Sequence, residues 1–237
     1  MTKVALRMVA IGLGLAALAC EGTISNPGRP TTLDGAPPTD TGSAGSPAAT
    51  VGATEPVVRL MDLIQVGTSR LVRTPNGISF TLSTSDLTPG HAYTLWFVAF
   101  NEPAQCAVPN ECAPDDVVND AAKPDMMYAT GGIVGGAGTA TFAGRRAVGD
   151  TSGSLNSPVG LPAYGLLDAF GAEIHLAVHD HGPKLPEYLP DMIQTVDGGC
   201  TDAGIPAAGV VSPWNQHPFG RRGPNTCATI QATVHRP

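Results

Sequence analysis

From residue 57 onward the chain repeats one pattern: short runs rich in β-branched and aromatic residues, cut apart by glycine and proline. The runs are "VVRLMDLIQ", "SRLVRT", "GISFTLS", "AYTLWFVAF", "MMYATGGIV", "TATFAG", "AEIHLAVHD" and "CATIQATVH". Several alternate apolar with polar residues, the period that places one face of a strand in a core and the other outside it. Turn signals separate many of them: "PNG" at 75–77, "TPG" at 88–90, "GGAG" at 135–138 and "DAFG" at 168–171. The chain holds 29 Gly and 22 Pro with only 14% charged residues, a composition that argues against a helical bundle. Only "APDDVVNDAA" (113–122) and "LPEYLPDMIQ" (185–194) suggest short helical turns. The expectation is an all-β chain: a single β-sandwich over 57–237 with long, cysteine-bearing loops at 101–124 and 182–224.

Within it, "DLTPGHAYTLWFV" resembles the L-x-P-G-x-x-Y stretch of fibronectin type III and related immunoglobulin-like modules, with Leu87, Pro89, Gly90 and Tyr93 at the matching positions. The resemblance implies an immunoglobulin-like sandwich in which the Tyr93 hydroxyl bonds back to the chain at a corner. It covers about a dozen residues and implies no activity.

The amino terminus carries a different message. "MTKVALRMVAIGLGLAALAC" has a basic start (Lys3, Arg7) and an uncharged stretch from Met8 to Ala19. That stretch is too short for a bilayer span, which takes about 20 residues, but suits a signal peptide. "LAALAC" resembles the bacterial lipobox, which implies cleavage after residue 19 and lipidation of Cys20. Ala17 stands where Leu or Val is commoner, and Ala17-Leu18-Ala19 also fits an ordinary A-x-A cleavage site that would release a soluble protein. Residues 20–56 are dominated by Gly, Pro, Ser, Thr and Ala, and cannot bury enough apolar surface to offset their ordering entropy. They read as a disordered tether with a reach of roughly 30 Å. The implied location is extracytoplasmic, lipid-anchored to a bacterial envelope.

Cys106, Cys112, Cys200 and Cys227 then remain, an even number that reads as two disulfides in an exported protein. Three pairings are open. The preferred one closes "CAVPNEC" through Cys106–Cys112 and ties the last strand to a long loop through Cys200–Cys227. No C-x-x-C occurs to suggest zinc ligation by thiolates.

"AEIHLAVHDHGP" holds three of the six histidines. Alternation puts Ile174, Leu176 and Val178 on the core face, and Glu173, His175, His179 and His181 on the other. The expectation for that second face is solvent or a cleft, with histidines that titrate freely. Neighbouring same-face residues lie roughly 6.5 Å apart, so His179 and His181 can share a metal while His175 cannot join them. This is a half-site for zinc or copper that needs a third ligand, with His217, His91, Glu173 or an acidic loop residue as candidates. "AEIHLAVH" resembles the strand of α-carbonic anhydrases that carries one zinc histidine, but their upstream H-x-H is missing, since no histidine lies between His91 and His175. "HDHG" with "GGCTDAG" and "NQHPFG" resembles copper–zinc superoxide dismutases, whose H-x-H lies early in the chain rather than near its end.

Other chemistry is thinner. "GDTSGS" lacks the spacing of a serine-protease motif, and no G-x-S-x-G elbow occurs. Glu111, Asp115, Asp116, Asp120 and Asp125 lack calcium-loop spacing and read as solvated loop charge. Trp214, Phe219, Arg221 and Arg222 sit in a Pro/Gly-rich segment that reads either as a recognition loop or as a loop folded onto the sheet. Net charge is −7 with no basic run, which excludes nucleic acid and leaves the membrane as a partner only through the lipid anchor. The sequence reading favours a non-catalytic binding or surface-structural domain for a protein or glycan ligand, leans away from an enzyme, and expects no cofactor beyond zinc or copper. The alternative is a divalent-metal protein or metal-dependent enzyme centred on His179 and His181.

Overall fold

A computed structural model describes residues 50–156, 160–201 and 219–237. The expected signal peptide, Cys20, most of the expected tether, Trp214 and His217 lie outside them. Eight strands form one antiparallel sheet: β1 (Thr50–Arg59), β2 (Gln65–Thr74), β3 (Gly77–Thr84), β4 (His91–Phe100), β5 (Pro124–Ile133), β6 (Ala140–Ala147), β7 (Glu173–Pro183) and β8 (Ala228–His235). Their order is β5-β4-β7-β8-β1-β2-β3-β6.

The all-β expectation holds. The sheet curls so that β2, β3 and β6 face β4, β5 and β7 across one core, a sandwich or barrel-like arrangement. The Phe80 and Phe97 rings meet at 5.7 Å from the two sides. The strands at the ends of the ladder, β5 and β6, come into contact. There the Arg146 guanidinium donates to the Tyr128 carbonyl at 2.5 Å. Residues 153–155 also pair with β5, through Tyr128 N–H to Gly153 O (3.0 Å) and Leu155 N–H to Met126 O (2.9 Å). These contacts cover an otherwise open strand edge.

Two strands show how burial explains sequence pattern. β3 alternates buried and exposed residues, because one of its faces meets solvent. β4 is buried along nearly its whole length, which is why it reads as an almost unbroken apolar run. Tyr93, Leu95, Phe97 and Ala99 enter the main core. Trp96, Val98 and Phe100 point the other way, into two smaller clusters beneath the long loops.

One loop layer is the 101–124 segment, built from 3₁₀ turns at Pro103–Gln105, Pro114–Val118 and Asp120–Ala122. The other comprises 184–201, with a short helix α1 (Leu189–Met192), and 219–227. Both segments expected to be helical thus contain helical turns. Of the acidic run, Glu111, Asp115 and Asp120 are exposed as expected, whereas Asp116 of the first layer and Asp125 of β5 are buried. Buried Asp116 accepts from the Ala107 and Ala113 amides (2.8 and 2.9 Å), and buried Asp125 from Ser154 and Gly165 (both 2.6 Å). They brace loops whose own backbone would otherwise lack partners.

The disulfides are Cys106–Cys112 and Cys200–Cys227, the preferred pairing. Two disulfides in a domain of this size indicate an oxidising, extracytoplasmic setting. At the corner before β4, the Tyr93 hydroxyl accepts from the Thr88 amide at 2.8 Å and donates to Asp180 at 3.2 Å.

Two boundaries differ from expectation. β1 begins at Thr50, inside the segment read as tether, because 50–56 pairs with β2 despite its weak composition. "VVRLMDLIQ" is not one strand: β1 ends at Arg59, the chain turns, and β2 begins at Gln65.

Candidate functional site

The non-core face of β7 is the most chemically loaded place among the described residues, and it is not open to solvent. His179 is 3% exposed and His181 is fully buried. Alternation did aim both side chains away from the main core; the loop layer of 184–201 and 219–227 then closes over them. Trp96, Leu155, Val196 and Phe219 form the apolar floor and cover of this layer, with Ala177 of β7 packed against them.

The cover is two crossed loop segments. Asp197 N–H donates to Phe219 O (2.6 Å), Gly199 N–H to Arg221 O (2.8 Å), and Gly223 N–H to Cys200 O (3.0 Å). The crossing is so close that a Cβ at Gly223 would collide with the Gly199 backbone. The Asn225 amide donates to the carbonyls of His181 (2.8 Å) and Pro183 (2.7 Å), pinning the cover to β7. The Cys200–Cys227 bridge locks the crossing at its edge.

Under the cover the two imidazoles meet edge to face, with ring centroids 4.7 Å apart. His181 Nδ1–H donates to the Gly198 carbonyl (2.9 Å), which leaves Nε2 to accept from the Thr94 hydroxyl (2.9 Å). His179 Nδ1 bonds the Thr229 hydroxyl at 3.1 Å, whereas its buried Nε2 has no hydrogen-bond partner. Burial drives the pKa of His179 down to about 3, helped by the neighbouring His181 and opposed slightly by the Val196 carbonyl. Burial lowers His181 to about 4, against the Gly198 bond and the Asp180 charge. The expectation of freely titrating histidines is therefore corrected: both are neutral at physiological pH because desolvation disfavours the cation.

Neutral imidazole is the metal-ligating form. One ligand atom each from His179, His181, Cys200 and Cys227 fall within 4.8 Å of one another. With the sulfurs joined to each other, two imidazoles remain, fewer than the three or four protein ligands zinc takes. Of the candidate third ligands, His217 lies outside the described residues. His91 is engaged elsewhere, its Nδ1 bonded to Asp180 at 3.0 Å. Glu173, at the far end of β7, holds His175 Nε2 at 2.7 Å and the Cys112 amide at 3.0 Å. His175, as expected, stands apart from the pair.

The arginine-bearing segment is folded onto the protein. Phe219 is buried. Arg221 donates to Asp191 at 2.7 Å and stacks over Tyr188 at 5.2 Å, and Arg222 lies 3.9 Å from Asp197. Arg221 thus ties the 219–227 segment to α1.

Sequence reasoning missed a surface feature at the same end of the sheet. The turn between β1 and β2 presents Met61, Leu63 and Ile64 at 58%, 57% and 52% exposure. The turn is closed by Leu63 N–H to Arg59 O (2.8 Å) and Arg59 N–H to Ile64 O (2.9 Å). Arg59 pairs with Asp62 and Asp86 beneath it. Leu63 adopts φ 60°, a left-handed conformation that costs a non-glycine residue about 1–2 kcal/mol. "RLMDLIQ" contains the three aliphatic residues, but no Gly, Pro or Asn to announce the turn.

The chain was compared with family models, curated proteins and solved structures, and no significant match was found in any of them. Fold and site geometry define its class: an all-β, disulfide-stapled domain with a covered histidine pair.

Proposed function

We propose that this chain is an exported lipoprotein, anchored to the bacterial envelope through Cys20, whose β-domain has a non-catalytic binding role. The lipobox pattern supports the anchor, and the two disulfides support the compartment. The observation that carries the binding role is the braced β1–β2 turn. It holds Met61, Leu63 and Ile64 outward in a strained backbone rather than letting them collapse onto the sheet. Exposed apolar side chains on a rigid support are the mark of a contact surface.

Aliphatic side chains suit an apolar recess on a protein. A glycan site would offer aromatic platforms, and a site for anionic lipid would offer cations, whereas Asp62 and Asp86 flank this turn. Among the described residues, segments 101–124, 184–201 and 219–227 lie as covers over the outer face of the sheet.

Metabolic fatty-acid labelling tests the anchor: label on the wild-type chain and none on Cys20→Ala is expected, and an unlabelled wild type refutes it. A photo-activatable residue at position 63 tests the turn on intact cells. A discrete protein adduct is expected, abolished by Met61→Ser/Ile64→Ser and absent when the probe sits at exposed Ser79 of β3. Equal labelling from both positions refutes the assignment.

A further inference from the structure

We propose that reduction of Cys200–Cys227 converts the covered face of β7 into a four-ligand site, His179, His181, Cys200 and Cys227, for a thiophilic cation of the zinc type. The proposal is independent of the binding role of the β1–β2 turn.

The donor set is already assembled, with its ligand atoms within 4.8 Å of one another. A tetrahedral site with bonds of about 2.0–2.3 Å needs ligand atoms about 3.3–3.8 Å apart. Small side-chain rotations bridge that difference once the sulfurs are free to separate. Two thiolates and two imidazoles are a standard donor set for closed, structural zinc.

Two further observations point to a cation. His179 Nε2 is buried and unpartnered, while the Thr229 hydroxyl holds its Nδ1, the outer-shell support typical of a ligating imidazole. His181 Nδ1 lies 3.5 Å from Cys200 Sγ. Ligation through Nδ1 gives up the Gly198 bond and moves the ring proton to Nε2, where the Thr94 oxygen is placed to accept it at 2.9 Å.

The disulfide also has an approachable side. Cys200 is buried and Cys227 is partly exposed. A dithiol reductant attacks Cys227 Sγ as a thiolate, the Cys200–Cys227 bond breaks, and Cys200 leaves as a thiolate that takes up a proton. The second thiol of the reductant resolves the mixed disulfide, releases Cys227 as a thiol, and departs oxidised to its own disulfide. Two electrons and two protons pass to the protein. Zinc binding then displaces the two thiol protons to solvent with no further electron transfer. The cover is held to β7 by a sulfur–sulfur bond in one state and by a metal in the other.

The test uses the full chain carrying Cys20→Ser, Cys106→Ser and Cys112→Ser, so that Cys200 and Cys227 are the only cysteines left. It is reduced anaerobically with a phosphine and titrated with Co²⁺ and then Zn²⁺. One Co²⁺ per chain is expected, with thiolate-to-cobalt charge transfer and tetrahedral visible bands that Zn²⁺ abolishes. The oxidised chain should show neither. His179→Gln, chosen because the fully buried His181 is the riskier site for folding, should weaken binding at least about tenfold while circular dichroism confirms the fold. Absence of charge transfer in the reduced chain overturns the proposal. So does charge transfer that His179→Gln leaves unchanged in affinity, or equal binding by the oxidised chain.

Discussion

His181 Nδ1 lies 3.5 Å from Cys200 Sγ, although the two residues belong to different elements, a sheet strand and the loop laid across it. This contact defines the interior of the site. It joins the H-x-H of β7 to the bridge that holds the cover closed, so the chemistry of the histidines depends on the integrity of that cover.

The two disulfides should therefore contribute unequally to stability. Cys200–Cys227 closes a separation of 27 residues and Cys106–Cys112 one of 6. Chain entropy assigns about 3.5 kcal/mol to the first and about 2 kcal/mol to the second. Denaturant midpoints of Cys200→Ser/Cys227→Ser and Cys106→Ser/Cys112→Ser, compared with wild type, check this. Equal losses would mean that the cover contributes no more than the small loop.

Stability should fall as pH drops below 6.5. His179, His181 and His235 have folded-state pKa values lowered to about 3, about 4 and about 4, in each case chiefly by burial. The unfolded chain protonates these rings near 6.5 while the folded chain does not, so protons favour unfolding through the window from about 6.5 to about 4. Each ring contributes up to about 1.4 kcal/mol per pH unit within that window. Asp125, raised by burial, works in the opposite sense at the acid end. Chemical denaturation between pH 7 and pH 4.5 measures the net slope; a flat profile would contradict the burial of the three rings.

Leu63→Gly should separate fold from function. Glycine relieves the left-handed strain, so stability should hold or rise by up to about 1 kcal/mol, while crosslinking from a photo-activatable residue moved to position 61 weakens with the lost side chain. A loss of several kcal/mol would show instead that Leu63 is needed to hold the turn.

The architecture was legible wherever side-chain period and turn chemistry agreed. β3 alternates cleanly because a single face meets the core, and seven of the eight strand-like runs correspond to strands of the sheet, the exception being "VVRLMDLIQ", which runs out of β1 into a turn. The β1–β2 turn was not legible because Leu63 enters the left-handed region without glycine or asparagine. Thr50–Pro56 was not legible because its pairing with β2, rather than its own composition, makes it a strand. At the site, alternation assigned the histidines to the correct face. Their burial arises from loop crossings between residues far apart in the chain, such as Asp197 with Phe219, which no local pattern encodes. The even cysteine count pointed to the bridge, but not to its position beside His181.

The central claim is that β7 carries a neutral, shielded imidazole pair beneath a disulfide-locked cover. Histidine-selective NMR of the oxidised chain, titrated from pH 7.5 to pH 5, tests it most directly. The account predicts ring resonances of His179 and His181 that stay in the neutral form throughout, in line with folded pKa values near 3 and 4. Midpoints near 6.5 for both rings would show an open, solvated strand and contradict it.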